Sequence, residues 1–325
     1  MDHSATTPTD PEVLGVMMPY YGNHYGNPSS IHTLGREARE AVDHARQQVA
    51  GLIGADSSEI VFTAGGTEAD NLAVLGAALA FPAPKRHVIT SAIEHHAVLN
   101  PCRHLESIGF QVTYLPVDVW GRVNIKDVKQ SLTKQTCLIS IMHANNELGT
   151  LEPLAEIGMM ARKCNVAFHT DAVQTVGRIP VNVDELRVDL LSLSSHKIYG
   201  PKGAGALYVR KGITLRPLMY GGQQESGRRT GTENVPGIAG LGKACEIAGR
   251  DLMDRIAYIR YLRDRLENGI TINMDDIRIN THPEEHLPHV LNVSFTGIAG
   301  EKLVRELDMK GISVSSGAAC TADSV

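Results

Sequence analysis

From Glu59 onward, short runs of β-branched and apolar residues alternate with helical segments of about 10 to 18 residues. This alternation constrains the fold more than any other feature of the chain. Seven runs read as strands: Glu59 to Phe62, His87 to Ser91, Val112 to Leu115, Cys137 to Met142, Ala167 to Asp171, Leu190 to Ser194 and Ala206 to Val209. Runs such as CLISIM are apolar on both sides, which predicts a mainly parallel sheet flanked by helices, an α/β architecture. Arg36 to Ile53 puts Ala38, Val42, Ala45, Val49 and Leu52 on one helical face, and Pro153 to Cys164 repeats the habit behind an initial proline.

The chain has 325 residues, 42% of them hydrophobic, enough for two domains with a real core. The texture changes after about Arg250. A charged helix, Asp251 to Asn268, leads to the alternating segment RINTHPEEHLPHVLNVSFTG, then a helix near Glu301 to Met309 and a strand near Ile312 to Ser315. The expected organisation is a large domain over residues 12–250 and a smaller α+β domain made of 1–11 and 251–325.

Charge and cysteine usage exclude several classes of function. Lys and Arg total 31 against 36 for Asp and Glu, a net charge of -5 with no long basic block, so no nucleic-acid partner is expected. The longest apolar stretch, Leu72 to Phe81, has ten residues, where a bilayer span needs roughly 20. MDHSATTPTD lacks the order of a signal peptide, so a cytoplasmic location is expected. Cys102, Cys137, Cys164, Cys245 and Cys320 are widely spaced without a C-x-x-C pair, which suggests neither a disulfide framework nor a zinc site. The first four read as packing residues; Cys320, among the small residues of VSSGAACTADSV, reads as an accessible thiol on an exposed loop.

In an open α/β sheet, ligands bind beyond the carboxyl ends of the strands, and five strand endings here have unusual content. VFTAGGTEAD sets two glycines and Thr67 before a helix, with Thr67 to Asp70 matching a capping box. Backbone N–H groups there could hold a phosphate, although an ordinary capped helix carries the same residues. FHTDAVQ ends a strand on Asp171 and then Gln174, a carboxylate suited to a protonated heterocycle nitrogen or equally to a helix N-cap. LSLSSHKIYGPKG ends on Ser194, Ser195, His196 and Lys197. A single lysine is usually a solvated surface charge. Joined to a phosphate cradle and a pyridinium-pairing aspartate, Lys197 instead meets what pyridoxal phosphate requires of its protein, a Schiff-base amine. ITSAIEHHAV offers His95 and His96; an imidazole there could stack on a flat ring, and the pair lacks a third ligand for a metal. SIMHANNELGT supplies Asn145 and Asn146, which alone are no more than a turn signal.

Taken together, DHSATTP, GNPSSIH, FTAGGTEADN, EHHAV, HANNELGT, DAVQ, SSHKIYGPKG, GRRTGTEN and SSGAAC resemble the class V aminotransferase family, within it the cysteine desulfurases of the NifS/IscS group. The resemblance spans nearly the whole chain. It implies a fold-type I pyridoxal 5'-phosphate enzyme, a homodimer, that converts L-cysteine to L-alanine. Carried over, it makes Lys197 the Schiff-base lysine, His95 the ring-stacking acid/base and Cys320 the nucleophile that holds sulfur as a persulfide for an acceptor such as an iron-sulfur scaffold protein. Asp171 would pair with the pyridine nitrogen and Gln174 with the ring hydroxyl. Gly66, Thr67, Ser194, Ser195 and His196 would surround the phosphate, Thr232 would reach it across the dimer interface, and Asn146 would lie near the ring hydroxyl and substrate carboxylate.

Two departures accompany the resemblance. Relatives begin with a few more strand residues before DHSATTP and continue well past the cysteine to an arginine that binds the substrate carboxylate. No residue here takes that arginine's role by sequence, so the small domain is expected to be incomplete. A selenocysteine lyase or another class V aminotransferase is the alternative within the fold. A catalytically impaired dimer partner that binds the cofactor without turnover is the alternative outside it.

Overall fold

The computed structural model describes residues 2–317. All seven expected strands form, as β1 (Ile60–Thr63), β2 (His87–Ser91), β3 (Gln111–Leu115), β4 (Thr136–Ser140), β5 (Ala167–Asp171), β6 (Leu190–Ser194) and β7 (Gly205–Val209). They make one sheet in the order β1-β7-β6-β5-β4-β2-β3. Pairs within β6-β5-β4-β2-β3 are parallel, whereas β7 runs antiparallel to both β6 and β1. β2, β4, β5, β6 and β7 are buried at every position, which explains their continuous apolar texture.

Helices cover both faces. α1 (Pro11–Met17) and α2 (Thr33–Ile53) pack with α8 (Val235–Arg250), and the Val42, Ala45 and Val49 stripe of α2 is fully buried. α3 (Gly66–Ala80) and α4 (His96–Ser107) pack together, with Leu72, Val74, Val98 and Leu105 in a second apolar cluster. The shorter α5 (Ile125–Ser131), α6 (Leu154–Cys164) and α7 (Val183–Leu186) complete the connections.

Beyond Arg250, α9 (Leu252–Asn273) leads to an antiparallel pair, β8 (Ile277–Ile279) with β9 (Val293–Phe295), and then α10 (Gly300–Asp308). The strand expected near Ile312 to Ser315 does not form among the described residues: 312–315 follow α10 without a pairing partner. Segment 2–10 is stitched to the turn after β6 by Thr7 N–H to His196 O and Asp10 N–H to Tyr199 O, each at 2.9 Å. Ser315 Oγ donates to Asp2 at 2.8 Å, so this segment touches both parts of the molecule. No helix of the described residues is long and apolar enough to cross a membrane.

Candidate active site

The parallel arrangement brings the carboxyl ends of β2, β4, β5 and β6 to one edge, where a cavity of about 1390 Å³ opens toward β9 and α10. Gly66, Thr67, His95, Asn146, Asp171, Gln174, Ser194, His196 and Lys197 all line it. Residues up to 131 positions apart in sequence, from Gly66 to Lys197, are thereby brought to one cavity.

Lys197 sits in the single 3-10 turn that follows β6. Its Nζ donates to the carbonyls of Ser4 and, at 2.8 Å, Ala5. Gln174 Nε2 donates to the same Ser4 carbonyl at 3.1 Å, so the N-terminal segment aligns both side chains. His196 Nδ1 lies 3.0 Å from Thr6 Oγ1, and burial, reinforced by Lys197 and Lys202, lowers its pKa to about 4. Asp171 ends β5 almost buried and accepts from Val173 N–H at 2.9 Å. Burial raises its pKa while His95 and Lys197 pull it down. A positive ring nitrogen would supply further compensation for that carboxylate. His95 caps α4: its Nδ1 accepts from Ala97 N–H at 3.1 Å, leaving the proton of the neutral ring on Nε2. Burial lowers its pKa, Asp171 opposes, and Lys197 and His96 lower it further.

The start of α3, where the sequence places a phosphate, is built differently from that expectation. The helix cap at α3 is Gly65, not Thr67, and no side chain caps it. Asp70, the acid of the expected capping box, is buried, and Glu68 accepts from Ala64 N–H at 2.8 Å and pairs with Arg229 at 2.9 Å. A Cβ at Gly66 would lie 2.8 Å from Val173 and 3.5 Å from Ser194, so only glycine lets the helix start meet the ends of β5 and β6 so closely. Free N–H groups at the start of a helix of 15 residues, beside Ser194 and His196, make a cradle for an anion.

Two expected site residues lie elsewhere. Ser195 is fully buried and absent from the cavity wall; its Oγ fills the space where a Cβ at Gly200 would come within 2.0 Å. Thr232 is exposed and does not line the cavity of its own chain. Cys320 lies outside the described residues. Of the other cysteines, Cys102, Cys137 and Cys245 are buried as expected, their thiols pushed up to about 12, 11 and 12, whereas Cys164 is exposed at the end of α6 rather than packed. The adjacent asparagines also divide their work. Asn145 Oδ1 accepts from Glu147 and Leu148 N–H groups, each at 2.9 Å, which fixes the loop so that Asn146 faces the cavity.

Asp70, which the sequence offers only as the end of a capping box, lines the cavity, buried within reach of the charge of Asp171. Burial and the charge of Asp171 push its pKa well above the carboxylate range. Its Oδ1 stands 3.6 Å from Nε2 of His169, whose two nitrogens are held by Ser140 at 2.8 Å and Ser192 at 3.0 Å. The available signal was positional: Ala73 and Ala77, three and seven residues on from Asp70, form the buried face of α3.

The fold is that of the pyridoxal-phosphate enzymes of the class V aminotransferase family, and the chain belongs to that family: the model described as Aminotransferase class-V matches residues 1–324. Within it, the chain is 51% identical to the protein named Cysteine desulfurase IscS of Dictyoglomus turgidum, covering 100% of this chain and 82% of the relative. It is 49% identical to Cysteine desulfurase IscS of Methanosarcina thermophila, over 100% of this chain and 80% of the relative. Among solved structures, a NifS-like protein superposes with a TM-score of 0.94 at 42% identity, covering 97% of this chain and 86% of that one. A structure titled SspA in complex with cysteine superposes with a TM-score of 0.86 at 39% identity, covering 99% and 90%.

Proposed function

We propose that this chain is a pyridoxal-phosphate-dependent cysteine desulfurase that takes sulfur from L-cysteine, releases L-alanine and holds the sulfur as a persulfide on Cys320. The observation that carries this reading is the convergence of Lys197, Asp171, Gln174 and His95 on one cavity. It gains weight from 51% identity to a protein named cysteine desulfurase.

The residues fit the cofactor: the α3 N-terminus with Thr67, Ser194 and His196 for its phosphate, Asp171 for its ring nitrogen, Gln174 for its ring hydroxyl and Lys197 for its aldehyde carbon. When bound, the cofactor supplies an electron-withdrawing ring that acidifies the Cα–H of an attached amino acid. The carboxylate of Asp171 holds the positive charge that this withdrawal requires. Lys197 Nζ, steered by the Ser4 and Ala5 carbonyls, is the amine placed to take and return the Cα proton. Neutral His95 presents Nε2–H to the cavity as a proton donor. The Cys320 thiolate attacks the substrate sulfur: an S–S bond forms, the C–S bond breaks, and its electron pair stays with the carbon skeleton, which is protonated and leaves as alanine.

Thr232, exposed and away from its own cavity, would serve the phosphate of a second copy in a homodimer. The sulfur would pass to an acceptor such as an iron-sulfur scaffold protein in the cytoplasm. The test is alanine and sulfide release from L-cysteine, with selenocysteine as the competing substrate. Cys320→Ala should abolish sulfide release and keep the cofactor colour; retained turnover would overturn the proposal.

A further inference from the structure

His289 also lines this cavity and has no part in the chemistry above. Both of its ring nitrogens are shielded from solvent, and neither has a hydrogen-bond partner among the described residues. Leaving a buried donor unpaired is unfavourable, so an orphan imidazole in a ligand cavity points to a ligand. The groups whose charges reach it are Arg178, His3 and Lys197, all basic, with no carboxylate among them. Burial first, and these charges after it, hold the ring neutral, with one N–H to donate, inside a positive field. That environment selects an anion.

The position of the ring is fixed. Leu287 and Val290, on either side, are buried against Ala144. Leu287 N–H donates to Gly149 O at 2.8 Å, Asn292 Nδ2 donates to Glu147 O at 3.2 Å, and a Cβ on Gly149 would stand 2.7 Å from Val290. Segment 287–292 is thus locked to the loop that presents Asn146, and His289 and Asn146 share one cavity. We propose that His289 is a substrate-binding residue that donates a hydrogen bond to the α-carboxylate of the amino-acid substrate. This rests on reading the cavity as an amino-acid site.

The test compares L-cysteine with cysteamine, which keeps the amine and thiol and lacks the carboxylate. Each is titrated into the holoenzyme and followed by the visible absorbance of the bound cofactor. His289→Leu should weaken L-cysteine binding by about tenfold or more, the loss of a hydrogen bond to a charged group, and leave cysteamine within about twofold. His289→Gln, which keeps an N–H donor, should restore most of the preference for L-cysteine. Should His289→Leu not fold, His289→Ala carries the same comparison. Equal loss for both ligands, or no loss for either, overturns the role of His289 alone. A wild-type enzyme that does not respond to L-cysteine overturns this role together with the proposed function.

Discussion

Arg178, buried to 6% exposure, donates from Nη2 to the main-chain carbonyl of Lys197 at 2.7 Å. Its guanidinium also stands 5.3 Å from the ring centroid of Tyr199. Arg178 therefore fixes the turn that carries the lysine, whereas the Ser4 and Ala5 carbonyls fix the amine itself. Arg178→Ala should destabilise the fold by about 1.5–3 kcal/mol, the range for a hydrogen bond from a charged donor. It should also slow formation of the borohydride-trappable link at Lys197. Arg178→Lys should recover charge but not the stacking, since an ammonium has no planar face. Denaturant midpoints and the rate of cofactor incorporation check both; a variant matching wild type in the two measurements would refute the positioning role.

Gly205, at the start of β7, sets how closely the sheet approaches the start of α3. A Cβ there would meet Gly65 Cα at 2.7 Å and Leu193 O at 2.8 Å, both main-chain atoms that cannot swing aside. Gly205→Ala should destabilise the protein by about 1–3 kcal/mol through overpacking and loosen cofactor binding, because Gly65 caps α3. Denaturation of the apoprotein, set beside cofactor release from the holoprotein, separates these two effects. An unchanged cofactor affinity would show that the cap tolerates displacement.

The sequence pattern carried the sheet and most of the side chains that line the cavity, and it failed where long-range contacts decide. Continuous apolar runs such as LLSLS located buried strands, but nothing in ALYV distinguishes the antiparallel β7 from its parallel neighbours. Lys197 was legible because a lysine at a strand end gains meaning beside Asp171 and a glycine-rich helix start. The carbonyls that hold it belong to residues 192 and 193 positions away, which no local pattern encodes. The capping box at Thr67 failed for a similar reason: Asp70, its acid, is buried 3.6 Å from His169, 99 residues downstream. Ser195 looked equivalent to Ser194, yet the turn after β6 points it into the protein toward Gly200.

Glu152 should give the stability curve a recognisable pH signature. Buried to 6% exposure, it accepts from Val123 N–H at 2.9 Å, and burial raises its pKa from 4.5 to about 7. The folded protein then binds this proton more tightly than the unfolded chain does. The contribution is fully present below the unfolded pKa and is lost as pH rises toward 7, a loss of ~3 kcal/mol by linkage. Glu152→Gln keeps an acceptor for Val123 and removes the titration. Relative to this variant, wild type should lose stability between pH 4.5 and 7 and run parallel to it above. His169, lowered to about 3, contributes with the opposite sign as pH falls below 6.5, but it is common to both proteins and cancels in the difference. A flat difference curve would show that Glu152 is ionised in the folded state.

The loop that carries Thr232 is held by a buried ion pair. Arg46 donates Nη1 to Glu225 Oε2 at 2.8 Å and Nη2 to Oε1 at 2.7 Å, and Glu225 also accepts from Phe62 N–H at 2.9 Å. Glu225 and Ser226 have φ values of 45° and 58°, left-handed for residues with side chains, so the pair holds a backbone that would otherwise relax. Arg46→Ala leaves a buried carboxylate unpaired and should destabilise by about 3–5 kcal/mol. Hydrogen exchange should accelerate first across residues 222–232, because the loop loses its anchor while β1 keeps its pairing with β7. Replacing both partners by methionine removes the unpaired charge and should regain much of the stability, but not all of it. The Phe62 N–H, which no apolar side chain can satisfy, remains without its acceptor. A double variant as unstable as Arg46→Ala would mean that the orphaned N–H and the relaxed loop, rather than the stranded charge, account for the loss.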